Sequence, residues 1–144
     1  MPSPVRQPAG VVSPRRFALV RYARPMMQND RTHWAVKAGE TADWRFYFKI
    51  LAKEAKIPHL ERVRIEVNHY RTRGRWPDVA GCAPAAKAAI DGIVDAGVLD
   101  DDDPTHVLDV TYNVLQMPPS WKKPGLASAL QIVIVEVPTE IKET

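Results

Sequence analysis

The chain has 144 residues, of which 45% are hydrophobic and 26% charged, values typical of one folded domain. No apolar run is long enough to cross a bilayer, and the single cysteine, Cys82, excludes an internal disulfide and a cysteine-built zinc site. This fits a cytoplasmic protein without a membrane partner. The net charge of +3 is a mild basic excess, so the position of the basic residues is more informative than their number.

The sequence predicts one folded domain over residues 16–138, between a disordered, Pro-rich basic tail at 1–15 and a short tail at 139–144. The domain begins with a predicted strand, Phe17–Tyr22, followed by an irregular segment, Ala23–Trp34.

A helix is expected from Thr41 or Ala42 to Ala55, with Thr41 as its cap and Pro58 beyond its end. Its apolar residues recur at helical spacing and predict one buried stripe: Trp44, Phe48, Leu51 and Ala55. Trp34 and Trp44 are both expected in the core.

Alternation predicts a half-buried strand at Arg62–Tyr70, with His69 on its apolar face. A second helix is expected at Ala83–Ala96, because Pro84 suits a first turn and Gly97 a helix end. Two further strands, Val107–Gln116 and Ala129–Val137, complete the pattern. The predicted fold class is α+β: a small, mostly antiparallel or mixed sheet with two helices packed on it.

Four consecutive aspartates, Asp100–Asp103, are the strongest local signal for chemistry. Crowded carboxylates repel each other, and a hard divalent cation such as Mg²⁺ relieves that repulsion. The competing interpretation is a solvated acidic turn, and for the run alone it is favoured. Asp78, in the loop before the second helix, is a further carboxylate expected to approach the run, with a simple turn residue as the alternative.

Lys87, Asp91 and Asp95 share one stripe of the second helix. An ordinary surface ion pair is the favoured interpretation for Asp95. Lys87 is instead expected to provide a positive charge beside a metal site.

Basic residues concentrate in one loop, where Arg71, Arg73 and Arg75 surround a glycine and precede Trp76. Arginines near carboxylates suit a polyanionic substrate, so these three, with Arg31, are candidate DNA-binding residues. His33 is a weaker candidate, since a lone loop histidine is more often structural.

The order of these motifs resembles the RusA family of Holliday junction resolvases, in the branch carried by actinobacterial phages and prophages. The resemblance covers residues 17–137 and rests on these motifs: 29–34 (NDRTHW), 58–64 (PHLERVR), Asp78, 87–97 (KAAIDGIVDAG) and Asp100–Asp103. It implies a homodimeric, Mg²⁺-dependent endodeoxyribonuclease (Mn²⁺ as a substitute) that nicks four-way DNA junctions in the host bacterial cytoplasm.

The resemblance also implies the site. Asp78, Lys87 and Asp102 would be catalytic, and Asp78, Asp101 and Asp102 would hold the metal. Asp91, Asp100 and Asp103 are possible supporting residues.

One departure from the family matters. The usual motif before the helix is D-x-D-N, whereas this chain has Asp78-Val79-Ala80-Gly81. Either Asp100 or Asp103 compensates for the missing carboxylate, which is the favoured interpretation, or the metal site is weakened. The alternative function is therefore a branched-DNA-binding protein that cuts poorly or not at all. A plain structural or interaction domain is a third hypothesis, but it leaves the basic loop unexplained.

Overall fold

The computed structural model describes residues 14–138, so both predicted tails lie almost entirely outside the described residues. The chain forms four strands, two helices and one short 3₁₀ turn. In chain order these are β1 (Arg16–Arg21), α1 (Trp34–Glu54), β2 (Val63–Arg71), α2 (Ala83–Asp95), β3 (Val107–Gln116), the 3₁₀ turn (Pro119–Trp121) and β4 (Ser128–Glu136).

The four strands form one mixed sheet in the order β1-β4-β2-β3. β4 is antiparallel to both β1 and β2, whereas β2 and β3 run parallel with α2 as the crossover between them. The α+β class is confirmed. The sheet is mixed, and it is also mostly antiparallel, since two of its three strand pairs are antiparallel.

The core lies between one face of the sheet and the two helices. Alternate residues of β2, such as Ile65 and Val67, join Phe48 of α1 and Ile93 of α2 in a single apolar cluster. Small side chains on α2 allow α1 to approach closely, and Gly92 lies directly against the α1 backbone. This packing holds α2 beside the sheet and thereby positions the loops at both of its ends.

All four strand predictions are confirmed to within one residue at each end, and β3 has the predicted bounds. The alternation in β2 is also confirmed, since Val63, Ile65, Val67 and His69 are all buried. The helix predicted at Ala83–Ala96 ends one residue earlier, at Asp95. Gly97 follows it with φ +86°, a left-handed conformation that glycine adopts without strain.

The predicted start of the first helix was wrong. α1 begins at Trp34 rather than near Thr41, and the Thr41 hydroxyl donates to the Lys37 carbonyl at 2.8 Å instead of capping the helix. The first turns are exposed throughout, so they carry no apolar periodicity that could reveal them.

The core positions of this helix were predicted only in part. Trp44 and Phe48 are buried as predicted, while Leu51 is half-buried and Ala55 is exposed just after the helix. Trp34, expected in the core, is 76% exposed, because it lies on the first turn, where α1 extends beyond the sheet and α2. Among residues 14–138, no helix is both long and apolar enough to cross a membrane.

Candidate active site and basic loop

Lys87 is the residue at which the predicted acidic groups meet. Its ammonium group, on the second turn of α2, donates to the carboxylates of Asp91, at 2.8 Å, and Asp102. The hydrogen bond to Asp102, and then that to Asp91, raises the pKa of Lys87. The same contact lowers the pKa of Asp102. At neutral pH this is therefore a charged cluster of one ammonium and flanking carboxylates.

Within the acidic run, Asp101 and Asp102 are joined by a hydrogen bond. The backbone N–H of Asp102 donates to the Asp101 carboxylate at 2.7 Å, which orients the Asp101 side chain against the backbone of its neighbour. Asp101 is exposed, and Asp102 is partly covered by its contact with Lys87. Asp102 is therefore the residue of the run that contacts α2, and Asp101 lies next to it.

The outer two aspartates have other partners. Asp100 is mostly exposed and lies 3.0 Å from Nε2 of His59. Asp103 closes the turn before β3: its carboxylate accepts from the backbone and hydroxyl of Thr105 and lies 2.8 Å from Nδ1 of His106. These hydrogen bonds lower the pKa of Asp103 to about 2. Both residues thus have structural contacts, and neither contacts Lys87.

Asp78 lies in the loop before α2, with an exposed side chain and a backbone carbonyl that accepts from Gly81 at 2.9 Å. Since β2 and β3 are parallel, this loop and the acidic run approach α2 from opposite ends. In the described part of the chain, no group of three or more acidic, histidine or cysteine side chains is close enough to hold a metal ion.

Gly81, where the RusA motif has asparagine, has little space for a side chain. A Cβ at this position would lie 2.8 Å from the Met27 side chain and 3.1 Å from the Asp78 carbonyl. The Met27 methyl would have to move before any larger residue fitted there. Ala80, by contrast, is exposed and has room for a longer side chain.

Asp95 faces away from this cluster. Its carboxylate pairs with the Arg45 guanidinium of α1 through two hydrogen bonds, at 2.5 and 2.8 Å, which join the two helices. The interpretation of Asp95 as an ordinary ion pair is therefore confirmed. His33 is also structural, since its Nδ1 accepts from Ala35 N at 3.2 Å and caps α1.

The predicted basic loop begins within the sheet, because Arg71 is the last residue of β2. Its guanidinium lies over the Trp76 ring, 3.5 Å from the centroid, and donates to the Gly74 carbonyl at 2.8 Å. Gly74 has φ +96°, which lets the loop reverse here without strain. Arg71 is thus held in a fixed orientation, whereas Arg73 and Arg75 project into solvent.

Arg71, Arg73 and Arg75 line a common cleft, but Arg31 does not. Several residues around this cleft and the adjoining one were not predicted from the sequence: Arg24, His69, Lys122, Lys123 and Ser128. Clustered lysines in the connector before β4 were the one visible signal. The others are far apart in the sequence, and only the strand register brings them together.

No family model matches the chain, and no curated protein matches it. The resemblance to the RusA family therefore rests on the motifs quoted above.

Proposed function

We propose that this chain is a Mg²⁺-dependent endodeoxyribonuclease that acts on branched DNA, as its resemblance to the RusA resolvases implies. The observation that carries the proposal is the contact of Lys87 with Asp91 and Asp102, beside Asp101. A lysine beside paired carboxylates, in a chain that also carries an arginine-rich loop, provides the groups that phosphodiester hydrolysis needs.

Asp101 and Asp102 are the proposed metal ligands in the acidic run, and Asp78, on the loop at the other end of α2, is a separate candidate ligand. Mg²⁺ is usually held by one or two carboxylates, several waters and the phosphates of the substrate. The adjacent pair fits this mode without a complete cage of protein ligands. When bound, the ion would activate a water molecule and stabilise the charge on the scissile phosphate.

The role proposed for Lys87 follows from its charge. Its carboxylate partners keep it protonated, so it presents a fixed positive charge in the site. A phosphate that enters the site would compete for this ammonium, which then stabilises the negative charge of the transition state. Arg71, Arg73 and Arg75 would hold the DNA backbone outside the reacting centre and recognise shape and charge rather than base sequence.

A homodimer is part of the proposal, since two strands of a near-symmetric junction must be cut. The apolar content of the strands within Val107–Val137 makes them the candidate dimer interface. β4, however, has both of its edges paired within the sheet, and most of its residues are buried inside the single chain.

A second candidate function is a protein that binds branched DNA without cutting it. Two observations favour it: Ala80 and Gly81 replace the family's acidic and amide residues, and the described residues hold no group of three metal ligands. The basic cleft would serve this function equally well.

A synthetic four-way junction, incubated with and without Mg²⁺, tests the proposal. We expect the wild type to nick the junction only with Mg²⁺, and Asp102→Asn to lower the rate by about 10- to 100-fold or more. Asp109→Asn is the matched control, because Asp109 is also exposed and ion-paired, but with Arg64 in the sheet. Its nicking rate should equal that of the wild type.

The other outcomes discriminate between the candidates. Nicking that survives Asp102→Asn contradicts the metal assignment. Tight, structure-selective binding without nicking by any variant supports the second candidate. A protein with no preference for DNA would contradict both and leave a structural or interaction domain.

A further inference from the structure

The register of β2 and β4 brings three polar side chains together at one end of the sheet. His69 and Arg71 are two residues apart and so share a face, and Ser128 pairs directly with Arg71 across the strands. This is the face that contains Val67 and packs against the helices. His69 and Ser128 are 5% and 8% exposed.

Each of these side chains has a buried polar atom without a hydrogen-bond partner: Nδ1 of His69, Nε of Arg71 and Oγ of Ser128. Only one other such atom, in Arg21, occurs among residues 14–138. An unsatisfied buried polar group is costly, so native proteins seldom retain one without a purpose. Three such atoms on residues that line one cleft indicate that an occupant of the cleft satisfies them.

The shared space is an open cleft of about 280 Å³, enough for a polyatomic ion and its hydrating waters. Arg24, Arg73 and Arg75 also line it, and none of the described lining residues is acidic. Arg24 is partly neutralised, since it forms two hydrogen bonds with Asp30, at 2.7 and 3.0 Å. The remaining arginines leave an uncompensated positive charge, which favours an anion over water alone.

The geometry of Arg71 favours an anion with several oxygens. Stacking on Trp76 and the bond to Gly74 fix its guanidinium, and its Nε–H is left without a partner in the chain. A ring N–H, a guanidinium N–H and a hydroxyl approach from different groups, as a tetrahedral oxyanion requires. Little side-chain entropy remains to be lost when such a ligand binds.

We propose that this cleft, formed by His69, Arg71 and Ser128 with Arg24, Arg73 and Arg75 at its rim, binds a phosphate group. That this phosphate belongs to an internal position of a DNA backbone rests on the proposed function. That the cleft binds phosphate at all does not. A second cleft shares Arg73 with the first and adds Lys122 and Lys123. The two clefts together form a basic track along which a phosphodiester backbone continues.

Inorganic phosphate and the full-length chain test the site directly. We expect phosphate to raise the thermal unfolding temperature more than sodium chloride of equal ionic strength does. Ser128→Ala should unfold at the same or a higher temperature without phosphate, because it removes an unsatisfied hydroxyl. With phosphate, its Kd should be roughly tenfold weaker.

Ser120→Ala is the control, since Ser120 is exposed in the 3₁₀ turn and lines neither cleft. It should bind phosphate like the wild type. A second variant, Arg73→Ala at the exposed rim, should weaken phosphate binding without altering the fold. Equal shifts with phosphate and chloride, or unchanged phosphate affinity in Ser128→Ala, would overturn the site.

DNA with 5′-phosphate or 5′-hydroxyl ends distinguishes the sources of the phosphate group. We expect Ser128→Ala to weaken binding to both equally, whereas a loss confined to 5′-phosphorylated DNA would overturn the backbone assignment. Failure of the proposed function is a separate result. If the protein binds phosphate through Ser128 but never nicks junctions, the phosphate site is supported and the proposed function is contradicted. If it nicks junctions but neither binds phosphate nor responds to Ser128→Ala, the proposed function is supported and the phosphate site is contradicted.

Discussion

Gly92 of α2 lies against the backbone carbonyl of Arg45 in α1, and a Cβ at position 92 would overlap that oxygen. The backbone nitrogen of Lys49 is also close, so the obstruction is main chain rather than a flexible side chain. The Arg45 guanidinium meanwhile pairs with Asp95, three residues further along α2. This close approach gives the glycine of the sequence motif KAAIDG a structural role, namely to hold α2 against α1.

Gly92→Ala is therefore expected to destabilise the protein, since the helices must separate to accept a methyl group. Overpacking of this kind costs about 1–3 kcal/mol, measured as the free energy of urea unfolding. Gly39→Ala is the matched control in α1, because a Cβ there meets nothing within 4 Å. It should leave stability equal or raise it by up to about 1 kcal/mol, as alanine favours helix. A stable Gly92→Ala would contradict the close packing.

Ala80→Asp should increase Mg²⁺-dependent nicking, if the missing carboxylate limits the proposed activity. Ala80 is exposed, so the fold should tolerate the longer side chain. An added ligand on the loop of Asp78 should also lower the Mg²⁺ concentration needed for half-maximal nicking, by about tenfold. Val79→Asp, also exposed and one residue earlier, tests whether position matters. Equal gains from both variants would indicate a nonspecific effect of charge.

Two histidines should titrate on opposite sides of the ordinary value of 6.5, as measured by NMR of their ring signals. Burial, and then the charge of Arg24, lowers the pKa of His69. The hydrogen bond to Asp103 raises the pKa of His106. A single shared pKa would contradict the environments that the structure gives them.

The stability consequences have opposite signs. His69 resists protonation in the folded state, so its contribution to stability is lost as the pH falls below about 6.5. His106 stabilises the fold below that pH, and this contribution is lost as the pH rises through its raised pKa. Relative to the wild type, His69→Gln should therefore gain stability on acidification and His106→Gln should lose it, as measured by urea unfolding across this range.

The salt dependence of DNA binding should report which basic residues contact phosphates. Each lost contact lowers the slope of log affinity against log salt by about 1. Arg73→Ala and Lys123→Ala, in the two clefts, should each show this decrease. Arg31→Ala should show less, because Arg31 lines neither cleft. The reverse order would favour the Arg31 loop as the principal contact.

Local patterns explain why most elements could be predicted from the sequence. Alternation identified β2 and placed His69 on its buried face, and the positions of Pro84 and Gly97 identified α2. The first turns of α1 were not predicted because every residue from Trp34 to Asp43 is exposed. Apolar residues therefore do not recur at helical spacing there. Helix propensity alone is too weak a signal to extend the prediction.

Some contacts of the candidate site could likewise be predicted from local spacing, and others could not. Asp91 and Lys87 are one helical turn apart, so their contact follows from spacing. The contact of Lys87 with Asp102 depends on the path of the chain after α2, and the pairing of Arg71 with Ser128 depends on strand register. Neither is encoded by neighbouring residues, which is why the cleft was only partly anticipated.

The central position of β4 has a consequence for synthesis. β4 is the last strand in the described part of the chain, yet it lies between β1 and β2, and β1 has no other partner in this sheet. On the ribosome, β1 must therefore wait for residues 128–136 to emerge before it can pair. During that interval the nascent chain would expose the unpaired backbone edge of β2 that β4 later covers.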